Sequence, residues 1–265
     1  MSIGCDGDPV LTRNSPQGSS SVKAIILGAG QGKRLLPLTS DVPKALLDIG
    51  GLPLVQRQIQ ALAQAGIREF VVVTGYGAAR MDKVLQSVAH AHDLAIRTIY
   101  NPFYLVADNL ASCWMARAEM TGDFIQVNGD NVFRSELIDS ILAHAGPGVT
   151  VAISRKPRYD ADDMKIMLDG VRLTEIGKTL PLESVDAEAI GFYVFRGDAA
   201  RRYREVLDET MQEPQGLKQW FPYAVGQLAK LIDVGVCDVS HHQWCEVDYP
   251  VDLQNARHMV ASWAN

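Results

Sequence analysis

The chain has 265 residues, of which 47% are hydrophobic and 21% charged, and its formal net charge is -6. This composition is typical of a globular protein and argues against a nucleic-acid binder, so any anionic ligand must be held by local positive charge. The four cysteines form no C-x-x-C pair, which excludes the usual zinc and disulfide patterns and favours a reducing compartment, the cytoplasm.

The first 21 residues are polar and contain neither a basic start nor an apolar run of the length that a secretory signal needs. We therefore expect a mobile tail over residues 1–21. No later run is long and apolar enough to span a bilayer. Residues 22–265 are expected to form one main folded domain.

From Val22 onward, short β-branched runs alternate with amphipathic segments at helical spacing. The strands are predicted over VKAIIL, EFVVVTG, LAIRTIY, DFIQVNGD and VTVAIS. The helices between them are predicted over LVQRQIQALAQAG, where Gly66 ends the helix, from Met81 to Ala91, from near Leu110 onward and from near Ser135 to His144. This alternation predicts an α/β fold, a three-layer arrangement of a mostly parallel mixed sheet with helices on both faces.

The pattern changes after Ser154. MKIMLDGVRLTEIG has Asp169-Gly170 between two alternating runs, which predicts an inserted β-hairpin. AIGFYVF then returns to the main sheet, and helices follow over Ala199–Thr210 and Trp220–Leu231. The chain closes with the strand DVGVCDVS, the short segment WCEVDYP and a last helix that ends near Trp263.

The segment LGAGQGKRLLPLTSDVPKAL, which follows the first strand, is rich in glycine and positive charge. Its G-x-G-x-G spacing differs from the dinucleotide pattern G-x-G-x-x-G, and the second strand ends without the acidic residue that a ribose needs. A Walker loop also fails, because Gly28 to Lys33 is one residue short and Arg34 stands where a Ser or Thr must be. The alternative is a simple tight turn between strand and helix whose charged side chains are solvated.

We interpret this segment as a loop that binds a nucleoside triphosphate. Glycines let backbone N–H groups approach phosphate oxygens, while Arg34 and Lys44 add fixed charge. Pro37 and Pro43 stiffen the scaffold from which both basic side chains project. The expected nucleotide contacts in the loop are Leu27, Gly28, Ala29, Gly30, Gln31 and Gly32.

Two acids stand where a metal ion could bind. Asp130 ends the apolar run FIQVNGD, at the carboxyl edge where open α/β sheets bind ligands, and Asp248 lies in WCEVDYP just before the last helix. Glu246 shares a face with Asp248 if that segment is extended. The alternative is that both aspartates cap helices, the commoner fate of acids at helix starts.

These residues together resemble the sugar-phosphate nucleotidylyltransferases, whose signature reads L-x-[AG]-G-x-G-x-R-x-x-P-L-T followed by P-K. The resemblance implies a GT-A-like, Rossmann-type nucleotide-diphospho-sugar transferase fold. It also implies attack by an acceptor phosphate on the α-phosphorus of a triphosphate. Arg34 would meet the leaving pyrophosphate, Lys44 the reacting phosphates, and Asp130 with Asp248 would hold Mg2+.

The CTP-using branch of this family, acting on inositol-1-phosphate, phosphocholine or 2-aminoethylphosphonate, resembles the chain in NPFYLVADNLASCWMA and WCEVDYPVDLQNA. The partners implied are CTP and a small phosphorylated acceptor, with no nucleic acid and no membrane span. A homodimer is an open alternative for the assembly of the chain. Further expected contacts are Gly75, Tyr76, Asn109 and Ser112 to the nucleotide and Lys165, Lys178 and Glu246 to the acceptor.

Several alternatives stay open at this point. Asn109 is equally suited to cap a helix, and Lys165 and Lys178 to occupy a solvated hairpin face. A choline-type acceptor would need an aromatic cage, for which Trp114, Trp220, Phe221, Tyr223 and Trp244 are available. The rival functions are a hexose-1-phosphate nucleotidylyltransferase using UTP, dTTP or GTP, a glycosyltransferase, and a non-catalytic nucleotide-binding module.

Overall fold

A computed structural model describes residues 22–263, so the predicted tail over residues 1–21 lies outside the described part of the chain. The strands are β1 (Lys23–Leu27), β2 (Asp48–Ile49), β3 (Leu52–Pro53), β4 (Glu69–Thr74), β5 (Ala95–Tyr100), β6 (Phe124–Asn128), β7 (Asn131–Phe133), β8 (Gly148–Ser154), β9 (Lys165–Asp169), β10 (Arg172–Gly177), β11 (Ala187–Arg196), β12 (Val234–Asp238) and β13 (Trp244–Glu246). The α-helices are α1 (Leu54–Gln64), α2 (Ala78–His92), α3 (Asn109–Ala116), α4 (Ser135–His144), α5 (Ala199–Gln212), α6 (Phe221–Leu228) and α7 (Pro250–Ser262).

Nine strands form the main sheet, in the order β5-β4-β1-β6-β11-β8-β12-β10-β9. The pairs β5–β4, β4–β1, β1–β6 and β8–β12 are parallel, whereas β11 runs antiparallel to both β6 and β8. Helices cover both faces. The predicted α/β fold with a mixed sheet between two helical layers is therefore confirmed.

The segment around Asp169-Gly170 forms an antiparallel pair, β9 with β10, at one edge of the same sheet. Gly170 has a φ of 63°, the left-handed conformation that this tight turn requires and that glycine adopts without a Cβ clash. β9 also pairs with β11, so its first residues have strands on both sides. This second pairing explains why Lys165 is buried, as described below.

Two apolar cores lie on opposite faces of the sheet. Leu110, Tyr203 and Phe221 from α3, α5 and α6 pack on one face. Ile59 and other apolar residues of α1, α2 and α4 pack on the other. The longest helix, α2, has 15 residues, and within residues 22–263 no helix has both the length and the apolar character needed to cross a membrane.

A third, smaller apolar cluster positions the loop that follows β1. Leu35 of that loop is fully buried and packs in one cluster with Val132 of β7, with Val247 just after β13, and with Leu253 and Val260 of α7. Segments that are more than 200 residues apart in sequence thus share one small core. Burial of these side chains fixes the loop against the end of the chain.

Candidate active site

The loop after β1 borders a cavity of about 460 Å³ at the carboxyl end of the parallel strands. All six predicted loop contacts, residues 27–32, line this cavity, and so do Arg34, Lys44, Asn109 and Ser112. The edge where parallel strands end is where open α/β sheets bind their ligands. The loop residues that the sequence indicates therefore face one common space.

The loop holds its shape through short-range contacts. Gly32 has a φ of 77°, and a Cβ on it would lie 2.9 Å from the Cβ of Lys44, so a side chain there would collide with the lysine stem. The Thr39 hydroxyl donates a hydrogen bond of 2.8 Å to the Gly32 carbonyl. These contacts hold the Lys44 stem beneath the loop and aim its ammonium at the acids opposite.

A short antiparallel ribbon brings the two predicted metal ligands together. β13 pairs with β7, with Glu246 opposite Asn131, and the Val247 N–H donates to the Asp130 carbonyl at 3.0 Å. Asp248 is the next residue and lies beside Asp130. Neither aspartate is an N-cap, because α4 begins after Arg134 and α7 after Tyr249, so the capping alternative is wrong for both.

Lys44 joins the two aspartates. Its Nζ lies 3.0 Å from Asp130 Oδ2 and 2.5 Å from Asp248 Oδ1, and the lysine side chain is only 12% exposed. Burial acts to lower the pKa of Lys44, but attraction to the two carboxylates outweighs it and leaves the pKa above its ordinary value. Burial likewise acts to raise the pKa of Asp248, and its contacts with Lys44 and Arg34 lower it overall. Lys44 and Asp248 therefore stay charged.

Arg34 extends across the mouth of the cavity. Its Nη2 lies 2.5 Å from Asp248 Oδ2, and its Nη1 donates to the Tyr249 hydroxyl and to Asp162, each at 3.3 Å. The guanidinium carbon lies 4.9 Å from the centre of the Tyr249 ring. The Arg34 side chain remains 44% exposed, so its donors can reach an anion that enters the cavity.

The donor set suits a divalent cation shared with a substrate. Asp130 Oδ1 is buried and has no hydrogen-bond partner among the residues that the structure describes, which leaves one lone-pair site free beside Asp248. Over residues 22–263, no three His, Cys, Asp or Glu side chains are arranged to hold a metal by themselves. Two carboxylates completed by phosphate oxygens and water are the usual donors for Mg2+.

A second cavity, of about 510 Å³, opens from the first. Arg34, Asn109, Asp130, Trp220 and Asp248 line both spaces. Lys178 and Glu246, two of the predicted acceptor contacts, line the second one. Burial raises the pKa of Glu246 to about 8, and the carboxylates of Asp130 and Asp248 act in the same direction.

Lys165 lies away from both cavities, which corrects the prediction that it binds the acceptor. The residue is only 2% exposed, and its Nζ donates to the Lys178 carbonyl at 2.7 Å. The reason is its register: Lys165 pairs with Gly177 of β10 and with Glu188 of β11, so strands flank it on both sides. Its ammonium stabilises the hairpin base.

Gly75 and Tyr76 support the loop but do not line the cavity, a second correction. The Tyr76 N–H donates to the Ala29 carbonyl at 3.0 Å, and the Tyr76 hydroxyl donates to the Ser40 carbonyl. Both bonds join the end of β4 to the glycine loop. They fix the position of the loop, one through the main chain of Tyr76 and the other through its side chain.

Asn109 and Ser112 bind other parts of the chain while facing the first cavity. Asn109 Oδ1 accepts a hydrogen bond of 2.9 Å from the Phe221 N–H, so it caps the start of α6 instead of its own helix. Ser112 Oγ accepts one of 3.0 Å from Asn101 Nδ2. Asn101, which directly follows β5, is buried. It was not predicted from the sequence as a site residue, although a polar residue at the end of a strand is a signal for one.

Gln58 is a second residue that the sequence did not indicate. Its Nε2 donates to the carbonyls of Asn128 and Asn131 at 2.8 and 2.9 Å, which brackets the turn that carries Asp130. Gln58 is 1% exposed on α1, a helix whose other buried positions are apolar. A polar residue on an apolar helical face was the available signal.

Gly129 precedes Asp130 at a point where its main chain lies close to that of Leu27. A substitution at this position is therefore expected to change the stability of the protein. A Cβ on Gly129 would lie 2.3 Å from the Leu27 carbonyl oxygen, a backbone atom that cannot rotate aside. We expect Gly129→Ala to lower the free energy of unfolding in urea by at least about 2 kcal/mol, as overpacking does. Gly177→Ala, whose Cβ would meet nothing within 4 Å, is the matched control. Equal stability of the two variants would contradict the packing described.

Comparison with known proteins places these residues in context. The family model described as Nucleotidyl transferase matches residues 23–166, a range that includes Arg34, Lys44 and Asp130. A bifunctional IPC transferase and DIPP synthase from Aquifex aeolicus is 27% identical over 245 residues, covering 91% of this chain and 52% of that protein. The chain thus spans about half the length of that relative.

Two further proteins align over most of their own length. A CTP:phosphoglutamine cytidylyltransferase from Campylobacter jejuni is 24% identical over 260 residues, covering 88% of this chain and 98% of that one. The structure of the inositol-1-phosphate CTP transferase from T. maritima superposes with a TM-score of 0.76 at 21% identity, covering 91% of this chain and 96% of that one. This structural likeness shows a shared fold.

Proposed function

The chain belongs to the nucleotidyl transferase family, and from that premise we propose that it moves a CMP group from CTP to a small phosphorylated acceptor. One observation carries the proposal. Lys44 joins Asp130 and Asp248 at the open edge of the glycine loop, so charge of both signs meets where a triphosphate would lie.

In the proposed reaction, an oxygen of the acceptor phosphate or phosphonate forms a bond to the α-phosphorus of CTP. The bond from that phosphorus to the oxygen bridging to the β-phosphate breaks, and its electron pair leaves with pyrophosphate. No proton transfer to the protein is needed. The task of the site is alignment and charge neutralisation.

Each residue of the first cavity has a role in this scheme. Backbone N–H groups of the glycine loop hold the β- and γ-phosphates, and Arg34 at the mouth neutralises the leaving pyrophosphate. Lys44 faces the α-phosphate, where charge develops during transfer. Asn109 and Ser112, fixed by their bonds to Phe221 and Asn101, face the nucleoside.

Asp130 and Asp248 are the proposed ligands for Mg2+. The unpartnered Oδ1 of Asp130 and the absence of a third protein ligand over residues 22–263 both suit a cation completed by phosphate oxygens. Neutralisation of charge on those oxygens is the chemistry that the cation supplies when bound. Lys44 holds the two aspartates side by side for it.

The choice of CTP is supported by the relatives. The aligned proteins from Campylobacter jejuni and T. maritima are a CTP:phosphoglutamine cytidylyltransferase and an inositol-1-phosphate CTP transferase. The experiment that tests the choice is pyrophosphate release from CTP, UTP, dTTP and GTP, each with a set of phosphorylated alcohols, phosphonates and hexose-1-phosphates. Release that needs CTP together with a non-hexose acceptor supports the proposal. A preference for UTP, dTTP or GTP with a hexose-1-phosphate would overturn it.

A substitution of Gly30 is expected to weaken CTP binding without changing the stability of the protein. A Cβ on Gly30 would meet nothing within 4 Å and would project into the first cavity, in the space proposed for phosphate. We expect Gly30→Ala to weaken CTP binding at least about tenfold by calorimetry, a cost of about 1.4 kcal/mol. The free energy of unfolding should stay within about 0.5 kcal/mol of the wild-type value.

The control for this prediction is Gly146→Ala, since a Cβ at that exposed site also meets nothing within 4 Å. Gly146 lies between α4 and β8, away from both cavities. CTP affinity should be unchanged in the control. Unchanged CTP affinity in Gly30→Ala as well would remove the glycine loop from the nucleotide site.

A further inference from the structure

The turn that carries Asp130, residues 128–131, is held from three directions. On the β13 side, the Val247 N–H donates to the Asp130 carbonyl at 3.0 Å. On the β11 side, Asn131 Nδ2 donates to the Ile190 carbonyl at 2.7 Å. The third direction is α1, which contacts the turn through a polar side chain.

That side chain is Gln58, and its amide nitrogen spans the turn. Nε2 donates to the Asn128 carbonyl at 2.8 Å and to the Asn131 carbonyl at 2.9 Å. A side-chain amide nitrogen has two hydrogens, so both are used here. The two carbonyls stand on either side of Gly129 and Asp130. One nitrogen therefore limits how far apart the two ends of the turn can move.

Packing on α1 alone would favour an apolar residue in place of Gln58. The other buried positions of α1 are all apolar: Leu54, Val55, Ile59, Ala61 and Leu62. Gln58 Oε1 is buried and has no hydrogen-bond partner among the residues that the structure describes. Burying a polar atom without a partner costs free energy. What the glutamine provides in return is a fixed main chain in the turn.

The carboxylate pair of the first cavity depends on where this turn lies. Asp130 Oδ2 is 3.0 Å from Lys44 Nζ, which is 2.5 Å from Asp248 Oδ1. The turn also passes close to β1, because a Cβ on Gly129 would lie 2.3 Å from the Leu27 carbonyl oxygen. Two ligands that share a cation must be held within about 0.5 Å of the productive geometry. A small shift of the turn would therefore weaken the site.

We propose that Gln58 is a positioning residue for the divalent cation: by holding the turn, it sets the distance between the carboxylates of Asp130 and Asp248. The inference rests on the proposed function and names a residue that tunes its Mg2+ affinity. Gln58 lines neither cavity, so it touches neither the nucleotide nor the acceptor. Its effect is expected in the Mg2+ dependence and not in the binding of the nucleotide itself.

The test is calorimetry of CTP binding to the full chain of Gln58→Met, once with saturating Mg2+ and once with EDTA. Methionine is unbranched and adaptable in shape, but it has no N–H donor. We expect the ratio of the two CTP affinities to fall at least about tenfold, the usual loss when a group that orients a metal ligand is removed. The affinity in EDTA should stay within about twofold of wild type, an expectation that follows from the place of Gln58 outside both cavities.

Two controls separate positioning from general destabilisation. Gln64→Met makes the same chemical change at an exposed position of the same helix, and it should leave both CTP affinities unchanged. Ile59→Val removes one methyl group from the fully buried neighbour of Gln58, which lowers stability without removing a bond to the turn. The Mg2+ effect in Ile59→Val should equal that of wild type. An equal loss in Ile59→Val and Gln58→Met would overturn the inference.

Two results for Gln58→Met itself would also overturn it. One is an unchanged Mg2+ effect in a variant that circular dichroism shows to be folded. The other is an equal weakening of CTP binding with and without Mg2+, because Gln58 would then act on the nucleotide cavity as a whole. If Gln58→Met does not fold, Gln58→Asn takes its place with the same expected and contradicting results, since it keeps the amide but shortens its reach by one carbon.

Failure of the proposed function looks different. Wild-type protein that binds CTP equally well with and without Mg2+, or that releases no pyrophosphate from CTP with any acceptor, would refute the function and the inference with it. A wild-type Mg2+ effect that persists in Gln58→Met would remove only the role of Gln58. The two failures are distinguished by the wild-type measurement alone.

Discussion

Replacing Lys44 by methionine is expected to reduce kcat by about 10²-fold or more, the usual effect of losing one preorganised charge-stabilising group. The physical reason is the position of Nζ, 3.0 Å from Asp130 and 2.5 Å from Asp248, on a side chain that is 12% exposed. Because so little of the Lys44 side chain is exposed, an ion from solvent is a poor replacement for the lost charge. Steady-state pyrophosphate release at saturating CTP and acceptor measures the effect.

The control for this substitution is Lys83→Met on α2, an exposed lysine outside both cavities. Because Lys44→Met also leaves two carboxylates without their partner, the variant is expected to lose stability, and rates must be taken well below its unfolding temperature. Circular dichroism then shows whether the assayed protein is folded. A folded Lys44→Met with kcat within about threefold of wild type, under about 1 kcal/mol in activation free energy, would remove Lys44 from the reaction.

Replacing Asp130 by asparagine is expected to reduce kcat by about 10²-fold or more and to raise the Mg2+ concentration needed for half-maximal rate. Asparagine keeps the size of the side chain and one oxygen, but it removes the negative charge that a hard cation prefers. Asp130 Oδ1 has no partner to lose within the described residues, but Oδ2 loses its ion pair with Lys44 Nζ at 3.0 Å, so folding of the variant is checked by circular dichroism before rates are compared. A Mg2+ titration of the rate is the measurement.

Asp139→Asn, an exposed change on α4, is the matched control and should leave the Mg2+ dependence as it is. The two variants remove the same charge from the same residue type. If Asp130→Asn kept both the rate and the Mg2+ titration of the control, Asp130 would not be a metal ligand. A lower rate with an unchanged titration would also contradict the proposed role.

The glycine loop was predictable because its information is local. Residues 27–46 contain the glycine spacing, the two prolines, Arg34 and Lys44 in one continuous stretch that begins at the end of β1. Likewise, α1 follows from apolar residues at helical spacing and ends where predicted, before Gly66. Patterns of this kind depend only on residues that are close together in the sequence.

The meeting of the two aspartates depends on contacts that the sequence does not display. β7 has three residues and β13 has three, and they pair across more than 100 intervening residues. No periodicity can be recognised in segments so short. The sequence indicates each acid separately as a metal ligand, but only the ribbon brings Asp248 to Asp130.

The wrong prediction for Lys165 has a similar cause. A lysine in a polar hairpin is usually solvated, and the second pairing of β9, with β11, could not be read from the Asp169-Gly170 turn. That pairing buries Lys165 at the hairpin base, while Lys178, just past the end of β10, still faces the second cavity. Burial within a sheet is set by topology, which hairpin signals do not specify.

The central claim is that the site cuts CTP between its first and second phosphorus atoms and keeps the nucleotide part on the acceptor. The most direct measurement follows two radiolabels through the reaction, one on the α-phosphate and one on the γ-phosphate of CTP. The account predicts that the α label appears in a CMP-linked acceptor and the γ label in pyrophosphate. A γ label in orthophosphate or in a phosphorylated acceptor, with the α label in CDP, would contradict it.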